Sequence, residues 1–318
     1  MKPRLIVNPA SGNGRTGRHF DHIARLVHAA IGDFDCSFTR RRGDGVVLAR
    51  EAARAGVNLV VAVGGDGTAS EVIDGLVDEQ RAIRSDITFG FIPRGTGGDL
   101  GRTLGCPSDS AEAARVLSGQ VQRTIDLGRI EFIGHDGRPQ VRHFVNVAGA
   151  GIAGLVVQHV EGMGKALGGK ASFMIAAGRA LVGWRDQGVR WRVDAGPWQE
   201  EAITAISVCN GRYFGGGMMV APDARMDDGL FDVTIWRGLG LSDFILRRGM
   251  LYDGTHVRLA NTRVLRGSVV EAEPVGPSPI LLDVDGEQPG RLPARFTILP
   301  GALRACVAER AAGSGADA

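Results

Sequence analysis

Cysteine is scarce in this 318-residue chain, and the four present, Cys36, Cys106, Cys209 and Cys306, lie far apart. None of the short spacings that build zinc sites or redox pairs occurs, so a reducing compartment is the simplest expectation. Long apolar runs are lacking as well. The most extended stretch, 155–184, is broken by Gly, Lys and Arg, which leaves no uninterrupted span of about 20 apolar residues to cross a bilayer. Any membrane contact is therefore expected to be peripheral. No charged-then-apolar leader precedes the first strand pattern, so the expected location is cytoplasmic. Net charge is low too, at +2, far below what a dedicated nucleic-acid binder needs to neutralise several phosphates. Nucleic acid is accordingly excluded as a partner. Lysine is nearly absent (Lys2, Lys165 and Lys170 only), leaving arginine to carry the positive charge. No function follows from that.

Hydrophobic residues make up 44% and charged residues 23%, an ordinary globular balance in a chain long enough for two packed domains. Up to about residue 128, strand patterns at 4–8, 35–39, 58–63 and 87–92 alternate with helix patterns at 17–31, 45–55, 68–77 and 110–118. This predicts an α/β layer with a mostly parallel sheet. Beyond it the texture changes to short β-branched or alternating runs at 144–147, 189–193, 203–209, 231–236, 257–259, 268–272 and 280–284, separated by Gly, Pro and Asp-Gly turns. The expected organisation is an α/β domain over 1–128, a β-rich domain over 129–290 with a helical insertion at 155–184, a segment 291–310 returning to the first domain with a strand at 295–299, and a disordered tail at 311–318.

Three glycine-rich turns follow strands of the first domain. Asn8-Pro9-Ala10-Ser11-Gly12 lies between the first strand and first helix, where backbone N–H groups suit an anion. Its spacing of Gly12, Gly14 and Gly17 matches a dinucleotide loop, but Arg40, Arg41 and Arg42 stand where the ribose-binding acid would be. Gly64-Gly65-Asp66-Gly67-Thr68 follows a fully apolar strand. Its glycines admit a phosphate closely, while Asp66 can hold magnesium. The same residues also read as a tight turn with Thr68 as N-cap and Glu71 completing a capping box. Pro93-Arg94-Gly95-Thr96-Gly97-Gly98-Asp99 repeats the arrangement one strand later. Two such turns on one sheet edge suggest a nucleotide crevice.

The order Asn-Pro-x-Ser-Gly, Gly-Gly-Asp-Gly-Thr-x-x-Glu and Pro-x-Gly-Thr-x-x-Asp resembles the diacylglycerol kinase catalytic domain of bacterial lipid kinases, related to sphingosine and ceramide kinases. The likeness continues through Asp126-Leu127-Gly128, the Asp227-Asp228-Gly229 segment and Asp285-Gly286-Glu287. It implies an NAD kinase/diacylglycerol kinase-like three-layer α/β domain followed by an antiparallel β-sandwich, and transfer of the γ-phosphoryl group of ATP to a lipid hydroxyl at a membrane surface. It further implies Glu287 as proton acceptor, with burial lifting its pKa towards neutrality, and Asp66, Asp99 and Asp126 around a catalytic Mg2+. Asn8, Ser11, Gly12, Thr39, Gly64, Gly65, Gly67, Thr68, Glu71 and Thr96 would line the nucleotide, and Arg225, Asp228 and Leu230 would hold a second Mg2+. One departure stands out: Gly98 replaces the family's Asn before Asp99, putting nucleotide geometry in question. The alternatives are a kinase of a non-lipid or sphingoid acceptor, including an NAD kinase, which needs an Asn-Glu pair absent here, and a catalytically silent binding module, which Glu287 argues against. Homodimerisation is left open.

Overall fold

The computed structural model describes residues 2–118, 121–163 and 169–308; the predicted tail at 311–318 lies outside the described residues. The first domain is built on parallel strands in the order Asp35–Phe38, Arg4–Val7, Leu59–Gly64 and Thr88–Pro93. The inner strands are continuous apolar runs because both faces are covered. Helices Asp44–Arg54 and Asp66–Leu76 supply residues such as Ala49, Ala53, Val72 and Ile73 to one core, and helices Phe20–Ile31 and Ser110–Leu117 supply Ile23, Val27, Ala113 and Leu117 to another. These cores make three layers. The chain places its second strand on one side of the first and its third on the other, so the turns after Val7 and Gly64 flank a switch point at the carboxyl edge of the sheet, where open α/β sheets bind ligands.

The second domain is a sandwich. A sheet of order Thr262–Gly267, Phe231–Trp236, Ala205–Cys209, Val147–Gly151 and Leu282–Val284 is antiparallel throughout. It packs on Gln122–Gly134, Gln187–Val193, Val269–Pro274 and Gly290–Cys306 through a core containing Phe132, Trp191, Ile206, Phe231 and Phe296. Gly290–Cys306 joins the halves: it runs antiparallel to Gln122–Gly134 over most of its length and, at Arg304 and Ala305, parallel to Thr88–Pro93.

Several sequence expectations shift. The predicted strand at 144–147 spans a break between Pro139–Phe144 and Val147–Gly151. There the N–H groups of Val145, Asn146 and Val147 donate to the Asp285 carboxylate at 2.9, 3.0 and 3.1 Å. Residues 257–259, expected as a strand, belong largely to the 3-10 turn Thr255–Arg258. The helix Leu241–Asp253 was not expected from the pattern, since none of its residues is fully buried and it carries no strong apolar stripe.

Candidate functional site

Glycine brings the three turns of the first domain into contact. A Cβ on Gly95 would lie 2.6 Å from Gly65 Cα, and one on Gly12 would lie 2.8 Å from the Arg94 carbonyl oxygen. Neither position has room for a side chain, so backbone meets backbone. Side chains lock the arrangement: Asn8 Nδ2 donates to Thr68 Oγ1 at 3.1 Å, and Ser11 Oγ lies 2.9 Å from the Asn8 carbonyl oxygen. Thr39 is buried at the end of the second strand, its N–H donating to the Val7 carbonyl at 2.9 Å.

The capping box expected of Thr68 and Glu71 is not formed. The helix begins at Asp66, two residues before Thr68, with Gly65 as N-cap. Glu71 instead accepts from the N–H groups of Gly43 and Gly45 at 2.8 and 2.9 Å, which fixes the arginine-bearing turn that follows the second strand.

Asp66 and Asp99 face each other beside Gly97: a Cβ there would lie 2.7 Å from Asp66 Oδ2 and 3.7 Å from Asp99 Oδ2. Asp66 accepts from the N–H groups of Asp99 and Leu100, both at 3.2 Å. Asp99 accepts from Gly216 N–H at 2.8 Å and from Arg102 at 2.9 Å. Burial pushes both carboxyls above their ordinary range, and the charge of Asp66 adds to the effect on Asp99. Two close, partly desolvated carboxylates fit Mg2+, which takes one or two carboxylates together with substrate phosphates.

Asp126 does not join this pair. It lines neither the pocket holding Asp66 and Asp99 nor the cleft between the domains; its carboxylate accepts from Gly301 and Gly229 N–H groups, each at 2.7 Å. It is a buried tie between the bend at Asp227-Asp228-Gly229 and the last strand. In that bend the Asp228 carboxylate is already engaged. Asp228 Oδ1 accepts from Leu230 N–H at 3.1 Å, its other oxygen is held by Arg266, and the Arg225 side chain turns to Asp227 at 3.2 Å. Arg266 already supplies the positive charge a metal would bring. Among the described residues no group of three or more His, Cys, Asp or Glu side chains is poised for a metal.

Glu287 reaches the site from the second domain. Its turn is held by Asp285, which besides its three backbone partners accepts from Ser70 Oγ at 2.8 Å, tying the turn to the helix that follows Gly65. A cleft of about 1050 Å³ is lined on one side by Asn8, Ser11, Gly12, Gly65, Thr68 and Thr96, and on the other by Glu287. The expectation of a raised Glu287 pKa is corrected here. Burial does push it up, but Arg42 (Nε at 3.0 Å) and Arg142 (2.8 Å) outweigh burial and hold the carboxyl below its usual value. Arg42 also pairs with Glu161 at 3.0 Å.

Sequence reasoning missed Asp283. It lies on the short strand before the Asp-Gly turn, accepts from Gly286 N–H at 2.9 Å, and lines both the Asp66–Asp99 pocket and a neighbouring apolar chamber of about 120 Å³ walled by residues such as Ile152, Val156, Phe173 and Trp236. Burial, with Asp285 and Glu287 adding to it, pushes its carboxyl up to about 7. A carboxylate in the middle of the short strand Leu282–Val284 was the signal available, since an acidic residue is rarely buried without a partner.

The sequence profile of the diacylglycerol kinase catalytic domain matches residues 2–130, and that of the YegS C-terminal NAD kinase beta sandwich-like domain matches residues 146–307. This chain belongs to the diacylglycerol kinase family. It is 30% identical to a diacylglycerol kinase of Bacillus subtilis (strain 168), with 94% of this chain and 93% of the relative covered. It is 33% identical to a "Probable lipid kinase YegS-like" protein of Xanthomonas oryzae, covering 95% and 94%. A crystal structure of a diacylglycerol kinase from Bacillus anthracis superposes with a TM-score of 0.71 at 25% identity over 96% of this chain and 97% of that one. In this diacylglycerol kinase relative, then, the turns described above stand in a kinase framework. Gly98, the departure from the family pattern, adopts φ +69 as N-cap of Asp99–Leu104, a conformation Asn also tolerates.

Proposed function

We propose that this chain transfers the γ-phosphoryl group of ATP to a hydroxyl of diacylglycerol or a closely related lipid. The observation that carries the reading is the single cleft shared by the glycine turns and Glu287. Backbone N–H groups of the turns around Gly12, Gly65 and Gly95 suit the triphosphate, with Thr68 and Thr96 adding hydroxyl donors. Asp66 and Asp99 would hold Mg2+, whose bound charge offsets that developing on the phosphates.

Glu287 is the group that accepts the proton of the attacking hydroxyl. While clasped by Arg42 and Arg142 it is a weak base. Because Arg42 lines the same cleft, a triphosphate competes with Glu287 for its guanidinium, and nucleotide binding thereby loosens the base for the acceptor. Asp283, between the polar pocket and the apolar chamber, stands where a lipid headgroup meets its first chain atoms; near neutral pH it offers either a donor or an acceptor there.

The test is incubation of the purified chain with γ-labelled ATP and an extracted lipid mixture. Label entering the organic phase as a phospholipid supports the reading. Label remaining in ATP and inorganic phosphate under every lipid supplied contradicts it.

A further inference from the structure

The segment 142–147 grips the Asp285-Gly286-Glu287 turn at two places. Arg142 Nη1 donates to Glu287 Oε2 at 2.8 Å, and the N–H groups of Val145, Asn146 and Val147 hold Asp285. Between these grips lies His143. Its strand, Pro139–Phe144, pairs only with Gln122–Gly134 among the described residues, so its other edge has no strand partner. Helix Asp66–Leu76 takes that edge. The Asp74 carboxylate accepts from the His143 backbone N–H at 3.1 Å and from ring Nδ1 at 2.9 Å, while Nε2 lies 3.3 Å from the Glu79 carbonyl oxygen. A carboxylate only accepts, so Nδ1 carries the hydrogen. One side chain thus holds both the backbone and the ring of the residue next to Arg142.

The helix supplies a second tie. Ser70, one turn before Asp74, bonds to Asp285 at 2.8 Å, and residues at this spacing share a helix face. The helix that opens with Asp66 therefore anchors the Glu287 turn and the strand behind it. Burial pushes the Asp74 carboxyl up, but His143, with Arg142 adding to it, outweighs burial and holds it below its usual value. None of Asp74, His143 and Arg142 lines the cleft or the Asp66–Asp99 pocket, so their contacts serve no ligand directly. The two arginines on Glu287 differ in this respect, since Arg42 does line the cleft. Facing Glu287 are Arg42 from the turn after the second strand, Arg142, Glu161 of helix Ile152–Gly162, which shares Arg42, and Asp283 and Asp285 of its own strand and turn.

Resting on the reading of Glu287 as the base, we propose that Asp74 and His143 are positioning residues that fix Arg142 on Glu287 from the first domain. Arg42 is the partner that nucleotide draws away. Arg142 is the partner that stays, and it keeps the carboxylate aimed into the cleft.

The test follows the Glu287 carboxyl by carbon-13 NMR in the full chain labelled at its glutamate carboxyls, with Glu287→Gln identifying the signal. Arg142→Gln should raise the proton affinity of Glu287 by about tenfold, and Asp74→Ala by about threefold or more, at the low end for an opposite charge lost within about 4–6 Å. Loss of the Asp74 charge alone would lower it, so the sign separates anchoring from electrostatics. Asp74→Asn, which keeps an acceptor oxygen for both donors, should stay at or just below the wild-type value. Asp74→Ala combined with Arg142→Gln should not exceed Arg142→Gln alone, because the anchor works through that arginine. His143→Phe keeps the ring volume and should behave as Asp74→Ala does, and it serves should that variant fail to fold. With nucleotide and lipid supplied, the acid limb of kcat/KM should move to higher pH in Asp74→Ala while the nucleotide KM stays within a few-fold. An unchanged Glu287 titration in the anchor variants contradicts the proposal, as do effects of Asp74→Ala and Arg142→Gln that multiply when combined, or an Asp74→Asn that matches Asp74→Ala. The titration needs no turnover, so a wild type inactive on every lipid would sink the kinase reading alone.

Discussion

Glu287 lies between two guanidiniums, and that neighbourhood decides what it can do before any substrate arrives. Replacing Arg42 with Ala removes its first hydrogen-bonding partner while leaving burial and Arg142 in place. The carboxyl then rises, so the acid limb of kcat/KM against pH should move to higher pH. The KM for nucleotide should rise about tenfold, the order of one lost charge-assisted hydrogen bond. A pH profile that does not move would separate Arg42 from the base. Asp283 makes a different prediction because its shift runs the other way. The folded chain keeps this proton up to about pH 7, whereas the unfolded chain releases it near 3.8. Its contribution to stability is therefore full below the lower value, falls as pH rises between the two, and is lost above the upper one. The slope approaches about 1.4 kcal/mol per pH unit. Asp283→Asn keeps an acceptor for Gly286 N–H but has no proton to lose. Thermal melts from about pH 4 to about pH 8 should show the wild type losing ground to the variant; parallel curves would mean that burial does not hold the proton.

At the scale of elements, the turns depend on close backbone approach more than on side chains. Gly95→Ala places a methyl 2.6 Å from Gly65 Cα. It should cost about 1–3 kcal/mol of stability, the usual penalty of overpacking, and weaken nucleotide binding by spreading the turns. Gly67→Ala faces open space and sits in a helix, so its melting temperature should hold or rise. Both are read by thermal denaturation, and equal losses in the two variants would refute the packing argument. These turns were legible in the sequence because each follows an apolar strand, a local pattern. The break at Val145 and Asn146 was not, since its cause is Asp285, some 140 residues away in sequence. Nor was helix Leu241–Asp253, whose partly covered faces give no clear period. The partners of Asp126 were hidden for a related reason: a strand-end carboxylate next to a family-like motif says nothing about which turn it faces, and it faces Gly229 and Gly301.

At the scale of the whole molecule, the last strand and the Asp285 turn do the joining. Gly290–Cys306 continues from the sandwich into the parallel sheet, and Asp285 bonds to Ser70 across the domains. Both fix Glu287 relative to the sheet edge that carries the glycine turns, which is why a residue so late in the chain can line a cleft built by the first hundred. The fold class was readable from the change of texture near residue 128, whereas the electrostatic setting of Glu287 required coordinates, because Arg42 reaches it from the turn after the second strand and Arg142 from strand Pro139–Phe144. The most direct test compares Glu287→Gln with the wild type for nucleotide affinity and for lipid phosphorylation in the same preparation. Affinity should stay within a few-fold while turnover falls by about a hundredfold or more, the usual scale for losing a general base. Undiminished turnover in the variant would contradict the account at its centre.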